Sequence, residues 1–318
     1  MRLFRADSRV VAQSALGALM ATHISTSPFS SVAADFETAL NWMSLKHGIQ
    51  VNRTRFGKYQ KELDQLVRSI ISSDDSHLQN QADAYFDTLF EAGELIQIHK
   101  NYCLSDAKGL TEYLQEIASG PLRRADESSS HASIRARNTQ FELLSGARFQ
   151  AAGFTTDLSQ LSDLTVECNK KLVHVECKRP SSKTKIISNL RNARAQCEKR
   201  IEKSESPSFG LIAVDCSLVA NSGSKTLHFN DEPAMAAAFR GTQNKFVNEF
   251  VPLLKLHNHK RVLGLLIKFS CVASHHNIQQ INYAEQWMFQ INSNLNFENH
   301  FFAKSVAHGI RRGMQSGL

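Results

Sequence analysis

The stretch that decides the fold runs from Asp163 to Lys178 and reads DLTVECNKKLVHVECK. Two runs of alternating polar and apolar residues flank Asn169-Lys170, where a tight turn would fold them into a β-hairpin. A hairpin symmetric about that turn places Asp163 opposite Glu176 and Thr165 opposite His174. Because side chains alternate between the two faces of a strand, one face of this hairpin is polar and the other is apolar.

The polar face of the hairpin brings acidic and basic groups together. Its predicted members are Asp163, Thr165, His174, Glu176 and Lys178. The predicted members of the apolar face are Leu164, Val166, Val173, Val175 and Cys177. Opposed Cβ atoms in a hairpin lie about 5 Å apart, and two carboxylates that close repel each other unless a cation neutralises them. Mg²⁺ suits such a pair, because it takes oxygen ligands and keeps open positions for water and a phosphate oxygen.

Lys178 extends toward the same site and has two candidate roles. Its ammonium could stabilise the charge that develops on a phosphate, or it could orient and deprotonate the attacking water. The second role requires a pKa well below about 10.4, and the sequence leaves both roles open. His174 is interpreted as a packing or substrate-proximal residue rather than a metal ligand.

In order and spacing these residues resemble the PD-(D/E)XK nuclease superfamily, which includes restriction endonucleases, repair exonucleases and phage-defence nucleases. The family pattern is a helix with a glutamate, a strand with an aspartate, and then (D/E)-x-K on the next strand. The resemblance covers about residues 133–272, with Ser162 in place of the proline that often precedes the aspartate. It implies that Asp163, Glu176 and the backbone carbonyl of Cys177 bind Mg²⁺, with Mn²⁺ as a substitute, and that Lys178 is catalytic. It also implies that Glu142 supports the metal from the helix, and that Gln196 contacts substrate.

A basic segment follows the hairpin directly. Between Lys178 and Lys203 there are nine basic and two acidic residues, whereas the whole chain carries a net charge of +7. Phosphate contacts next to the metal are therefore predicted, because cationic side chains neutralise nucleic-acid backbones. The predicted phosphate contacts are Arg179, Lys183, Lys185 and Arg194. The alternative for this segment is an ordinary charged and solvated helix face.

The pattern of the whole chain predicts an α/β fold with a central mixed β-sheet flanked by helices, like a restriction endonuclease, after an all-α N-terminal domain. Residues 1–125 are assigned to that helical domain, with a first amphipathic helix near Val10–Ala21, and residues 131–318 to the nuclease domain. The polar, serine-rich stretch between them is interpreted as a linker or a boundary loop. The helical domain is expected to contact nucleic acid, a partner protein or a second copy of the chain, and no motif decides among them.

Composition supports a globular chain without a membrane span. Of its 318 residues, 42% are hydrophobic and 21% are charged, and no run of about 18 apolar residues occurs. The six cysteines include no CxxC pair, which argues against a zinc site of the usual spacing. Several of them lie in apolar, strand-like runs where buried free thiols are common, so a reducing cytoplasm is the expected location.

The leading hypothesis is a metal-dependent nuclease with nucleic acid, preferably DNA, as its partner, in a phage-defence or mobile-element context that rests on the resemblance alone. Two alternatives stay open: an inactive nucleic-acid-binding module on the same fold, and an unrelated α/β protein whose hairpin only mimics the motif.

Overall fold

The computed structural model describes residues 14–15, 18–71, 85–128, 130–159, 162–204, 206–221, 225–252, 259–275 and 278–316. The helices are α1 Phe29–His47, α2 Arg55–Ile71, α3 Phe86–Tyr102, α4 Leu110–Ala118, α5 His131–Ala151, α6 Lys183–Lys203, α7 Ser217–Ala220, α8 Glu232–Phe250 and α9 Phe297–Ser316. The strands are β1 Ser14–Ala15, β2 Ala18–Pro28, β3 Thr155–Asp157, β4 Leu164–Cys168, β5 Lys171–Lys178, β6 Ser208–Asp215, β7 Leu227–Phe229, β8 Val262–His275 and β9 Ile278–Ile291.

The strands form one mixed sheet in the order β1-β2-β9-β8-β6-β5-β4-β3, and β7 pairs with β8 beyond the end of β6. Strands β3, β4 and β5 are mutually antiparallel, whereas β5, β6 and β8 run parallel. Parallel neighbours need a crossover, and α6 supplies it between β5 and β6. The predicted α/β class with a mixed sheet is therefore confirmed.

The predicted hairpin is present with the predicted register. Thr165 pairs with His174 and Val166 pairs with Val173. The turn residues Asn169 and Lys170 have φ of 52° and 62°, the left-handed values that a two-residue hairpin turn requires.

The sheet separates two layers of hydrophobic core. The apolar hairpin face, with Leu164 and Val175, joins a large cluster that also includes side chains of α1 to α5 and α9. The opposite layer lies under α6 and α8 and includes Leu190, Ile212 and Phe239. No helix of the described residues combines the length and the apolar character needed to cross a membrane.

The N-terminal segment is not entirely helical. Helices α1 to α4 occupy most of it, but β2 pairs along its whole length with β9. Within the segment predicted as a first amphipathic helix, residues 14–15 form β1 and residues 18–21 belong to β2, whereas residues 10–13 and 16–17 lie outside the described residues. Farther along β2, threonine and isoleucine at Thr22, Ile24 and Thr26 favour an extended chain, and an edge of the sheet is available to receive it. The expected domain boundary between 125 and 131 stays a prediction, although one continuous core includes residues from both sides of it.

The serine-rich stretch after Gly120 is not a free linker. Arg123 forms an ion pair with Glu62 of α2 at 2.5 Å, and Arg124 forms one with Asp87 of α3 at 3.6 Å. These pairs fix the segment to the N-terminal helices, because its charges meet partners that are distant in sequence.

A buried ionic cluster lies under this segment, centred on Glu91 of α3. Glu91 is fully buried and lies 2.6 Å from Arg137, 3.1 Å from Arg55 and 3.6 Å from Arg124. Burial alone would raise the pKa of Glu91, but the arginines outweigh burial and hold that pKa well below its usual range. The cluster therefore joins α2, α3 and α5 through charges that have little contact with water.

Candidate functional site

The hairpin positions Asp163, Glu176 and Lys178 around a single ammonium group. The Lys178 Nζ lies 3.5 Å from Asp163 Oδ2 and 3.7 Å from Glu176 Oε2, so it bridges the two carboxylates. Asp163 directly precedes β4, and its Oδ2 accepts a hydrogen bond from the Cys177 backbone N–H at 2.8 Å. The three side chains predicted to form one site are therefore brought together by the hairpin register.

Glu176 is the most buried member of the site. Its side chain is 1% exposed, compared with 28% for Asp163 and 19% for Lys178. Burial, followed by the nearby Asp163 carboxylate, raises the pKa of Glu176 to about 7, while Lys178 and Arg200 oppose the rise. Each carboxylate oxygen of Glu176 faces a cation: Oε2 lies 3.7 Å from Lys178 Nζ, and Oε1 lies 3.5 Å from Arg200 Nε.

A third acid approaches from the helix layer on the other side of the hairpin. Burial and the charge of Asp163 raise the pKa of Glu142 in α5 to about 8, against opposing effects of Tyr113 and Lys178. Tyr113 of α4 shares a hydrogen bond with the Glu142 carboxyl, and its hydroxyl also donates to the Asp163 backbone carbonyl at 2.9 Å. Glu142 thus belongs to the same electrostatic cluster as the hairpin acids.

The site brings three carboxyl groups, those of Asp163, Glu176 and Glu142, close to Lys178 and Arg200. Burial is the main cause of the raised pKa values of Glu176 and Glu142, and an added cation would favour their ionised forms. In the described part of the chain no group of three or more His, Cys, Asp and Glu side chains is arranged to hold a metal ion. Mg²⁺, however, is commonly held by one or two carboxylates together with water and substrate phosphates. The partly exposed carboxylate of Asp163 and the nearby carboxylate of Glu176 fit that ligand set.

The residues predicted to contact the substrate are placed differently from one another. Lys183 and Lys185 are exposed on the first turn of α6, and Gln196 is exposed farther along it. Arg194 lies 3.6 Å from Glu198 one turn later in the helix. The geometry does not support the prediction for Arg179, because its side chain is 6% exposed and forms an ion pair with Glu127 at 3.2 Å.

Two residues of the site were not predicted. Arg200 of α6 lies with its Nε 3.5 Å from Glu176 Oε1, and Tyr113 links α4 to Asp163 and Glu142. Helical side chains point toward the N-terminus of their helix, so Arg200 reaches back along α6 to the middle of β5. Its position on α6 could have identified Arg200 as a neighbour of Glu176 once α6 was packed against β5. The sequence contains no comparable signal for Tyr113.

A groove of about 830 Å³ begins beside the acidic cluster. Its floor is the polar face of β3, β4 and β5, and Arg200 and Lys203 from the end of α6 form one wall. Arg200 therefore contacts both the groove and Glu176. His174, predicted to be a packing or substrate-proximal residue, lies in the floor, and burial lowers its pKa.

No protein-family model matches the chain, and no curated protein or solved structure matches it at a significant level.

Proposed function

We propose that the chain is a metal-dependent nuclease that hydrolyses phosphodiester bonds, with Asp163, Glu176 and Lys178 at its centre and DNA as its substrate. The observation that carries the proposal is the grouping of two carboxylates around one ammonium: Lys178 lies within 4 Å of both Asp163 and the buried Glu176. Burial and the Asp163 carboxylate raise the pKa of Glu176 to about 7, and a divalent cation bound at these carboxylates would favour their ionised forms.

Asp163, Glu176 and the backbone carbonyl of Cys177 would hold Mg²⁺, with Glu142 as a further supporting acid. When bound, the ion would supply Lewis-acid stabilisation of phosphate charge and a more acidic water. Two carboxylates that lie within 4 Å of the same ammonium make this donor set suitable.

The residues of the chain would divide the remaining tasks. Lys178 lies within 4 Å of both hairpin acids, so its ammonium is placed to stabilise charge on a phosphate bound there. Tyr113 holds the backbone at Asp163 and limits the motion of that strand end.

The order of the elements gives further support. Glu142 lies on α5, Asp163 precedes β4, Glu176 and Lys178 lie on β5, and α6 follows. This is the succession that resemblance to the PD-(D/E)XK superfamily implies, and a restriction-endonuclease-like core is part of the proposal.

An inactive nucleic-acid-binding module is the second candidate function. The charge balance along α6 would serve such a module equally well, since Lys183 and Lys185 are exposed. The complete set of acidic and basic site residues is the observation that favours the nuclease over this module.

An assay of the wild-type protein on several substrates tests the proposal. Supercoiled plasmid, linear duplex DNA, single-stranded DNA and RNA would each be incubated with Mg²⁺, with Mn²⁺ or with EDTA. Cleavage of at least one substrate with either metal, and none in EDTA, is the expected result. If no substrate is cleaved with either metal while binding is retained, the inactive module replaces the nuclease.

A further inference from the structure

The groove beside the acidic cluster is aligned with it by strand register. Asp157, Thr165 and His174 are successive partners across β3, β4 and β5, so their side chains form one row on one face of the sheet. A second row, with Thr155 and Glu167, lies one step farther from the site. In the opposite direction, the side chains two residues away on the same face are Asp163, just before β4, and Glu176 on β5.

A chain lying along this floor would therefore reach the acids without leaving the sheet. The rows are separated by two residues along each strand, which is about 7 Å. Consecutive phosphates of an extended single strand are separated by a comparable distance of several ångströms. A nucleotide held on the His174 row would place a neighbouring phosphate near Asp163 and Glu176.

The groove contains polar groups without partners. Both ring nitrogens of His174 are buried and have no hydrogen-bond partner among the described residues, although a neutral imidazole offers one donor and one acceptor. A ligand with donors and acceptors on one planar edge would satisfy them. Phe154 adds an aromatic ring to the lining, a surface on which a base can stack.

The charges of the groove suit bases better than a duplex backbone. Its lining has three basic and three acidic side chains, which are Lys108, Arg200, Lys203, Asp106, Asp157 and Glu167. A surface for duplex DNA would carry a clear basic excess, because most of the contact is with phosphate. The volume of about 830 Å³ is that of a site for a small molecule, and thus for one or two nucleotides.

We propose that this groove binds the unpaired nucleotides next to the scissile phosphate, so that the substrate is single-stranded nucleic acid or the single-stranded end of a duplex. Unpaired bases expose the edges and faces that a polar groove with an aromatic ring can recognise, whereas paired bases conceal them. The inference rests on the proposed nuclease function and specifies its substrate class.

Binding without cleavage tests this inference. A fluorescein-labelled single-stranded DNA 12-mer, the RNA of the same sequence and the DNA duplex would be titrated in EDTA, with fluorescence anisotropy as the readout. Thr155→Trp fills the groove from an exposed position, and Lys203→Glu reverses a charge in its wall. Lys199→Glu is the matched control, since Lys199 is an exposed lysine one turn earlier in α6 and outside the groove lining.

The wild-type protein should bind a single strand about ten times more tightly than the duplex. Each groove variant should weaken single-strand binding about tenfold, the loss expected for one stacked base or one charge contact. Lys199→Glu should have less than about a threefold effect. The DNA and RNA arms determine which single strand is preferred, and circular dichroism verifies that each variant is folded.

The inference is overturned if duplex binds as tightly as single strands, or if the groove variants bind like Lys199→Glu. Cleavage separates this failure from that of the proposed function. Metal-dependent cleavage that is insensitive to Thr155→Trp and Lys203→Glu would overturn the groove and leave the nuclease standing. Groove-dependent binding without any cleavage would support the groove and refute the nuclease.

Discussion

Replacing Glu176 with glutamine should stabilise the metal-free protein at alkaline pH. Burial raises the pKa of Glu176 to about 7 from an ordinary value of 4.5, so folding favours its protonated form. The corresponding stability is fully present below pH 4.5 and is lost as the pH rises through 7. Glutamine has no charge at any pH and escapes this loss.

The magnitude follows from the pKa difference between the folded and unfolded chains. A pKa shift of one unit corresponds to about 1.4 kcal/mol. Because the pKa of Glu176 rises from 4.5 to about 7, its ionisation in the folded protein costs about 3 kcal/mol of stability at pH 8 relative to pH 4. The side chain is 1% exposed, so solvent screening reduces this cost little. Glu176→Gln should recover most of the cost at pH 8 and should change stability little at pH 4.5.

Urea denaturation in EDTA, followed by circular dichroism at both pH values, measures the effect. Glu167→Gln is the matched control, because Glu167 is an exposed carboxylate on the neighbouring strand and its loss should leave stability nearly unchanged. A Glu176→Gln protein that is no more stable than wild type at pH 8 would show that Glu176 is not a destabilising buried charge.

Three further predictions concern other parts of the structure. Glu91→Ala should reduce the free energy of unfolding by about 3–5 kcal/mol, because it leaves buried arginines without their shared carboxylate; urea denaturation measures this, and a loss below 1 kcal/mol would contradict it. Tyr113→Phe should slow metal-dependent cleavage about tenfold while the fold is retained, because the backbone at Asp163 loses a hydrogen bond; an unchanged cleavage rate would exclude a positioning role. Lys170→Gly should stabilise the protein by about 1 kcal/mol, since Lys170 has φ of 62°; thermal denaturation provides the comparison, and a lower melting temperature would contradict the strain.

The sequence predicted the parts of the fold that depend on local pattern. The hairpin register follows from alternating residues around a two-residue turn, and the observed pairs agree with it. The sequence pattern predicts a helix from Lys185 to Ser204, close to the bounds of α6. Two continuous apolar runs, from Phe209 to Cys216 and from Val262 to Val272, predict buried strands close to the bounds of β6 and β8. The grouping of Asp163, Glu176 and Lys178 depends on the same local register, which is why it could be predicted.

Features that depend on distant partners were not predictable in the same way. Strand β2 forms because β9, more than 250 residues later, offers an edge, and its own short pattern did not distinguish a strand from an amphipathic helix. The charges around Arg123 read as a solvated linker because their partners lie on α2 and α3. Helix α9 has no counterpart among the sequence predictions.

In the candidate site, too, local pattern was predictable from the sequence and contacts between distant residues were not. Arg179 follows the catalytic strand and belongs to a basic run, yet Glu127 binds it on the inside of the molecule. Arg200 could be assigned to α6 from periodicity, but its contact with Glu176 depends on how that helix packs against β5. Local sequence therefore predicts which groups are present, and tertiary packing decides which of them meet.

The most direct measurement is the rate of Mg²⁺-dependent cleavage by wild-type, Glu176→Gln and Glu37→Gln proteins on the best substrate of the panel. Both variants replace one carboxylate with an amide, but Glu176 lies within 4 Å of Lys178, whereas Glu37 is exposed on α1 and lies outside the groove lining. We expect Glu176→Gln to cleave at least about 100-fold more slowly than wild type and Glu37→Gln to cleave at nearly the wild-type rate. Equal rates for wild type and Glu176→Gln would contradict a nuclease centre built on this hairpin.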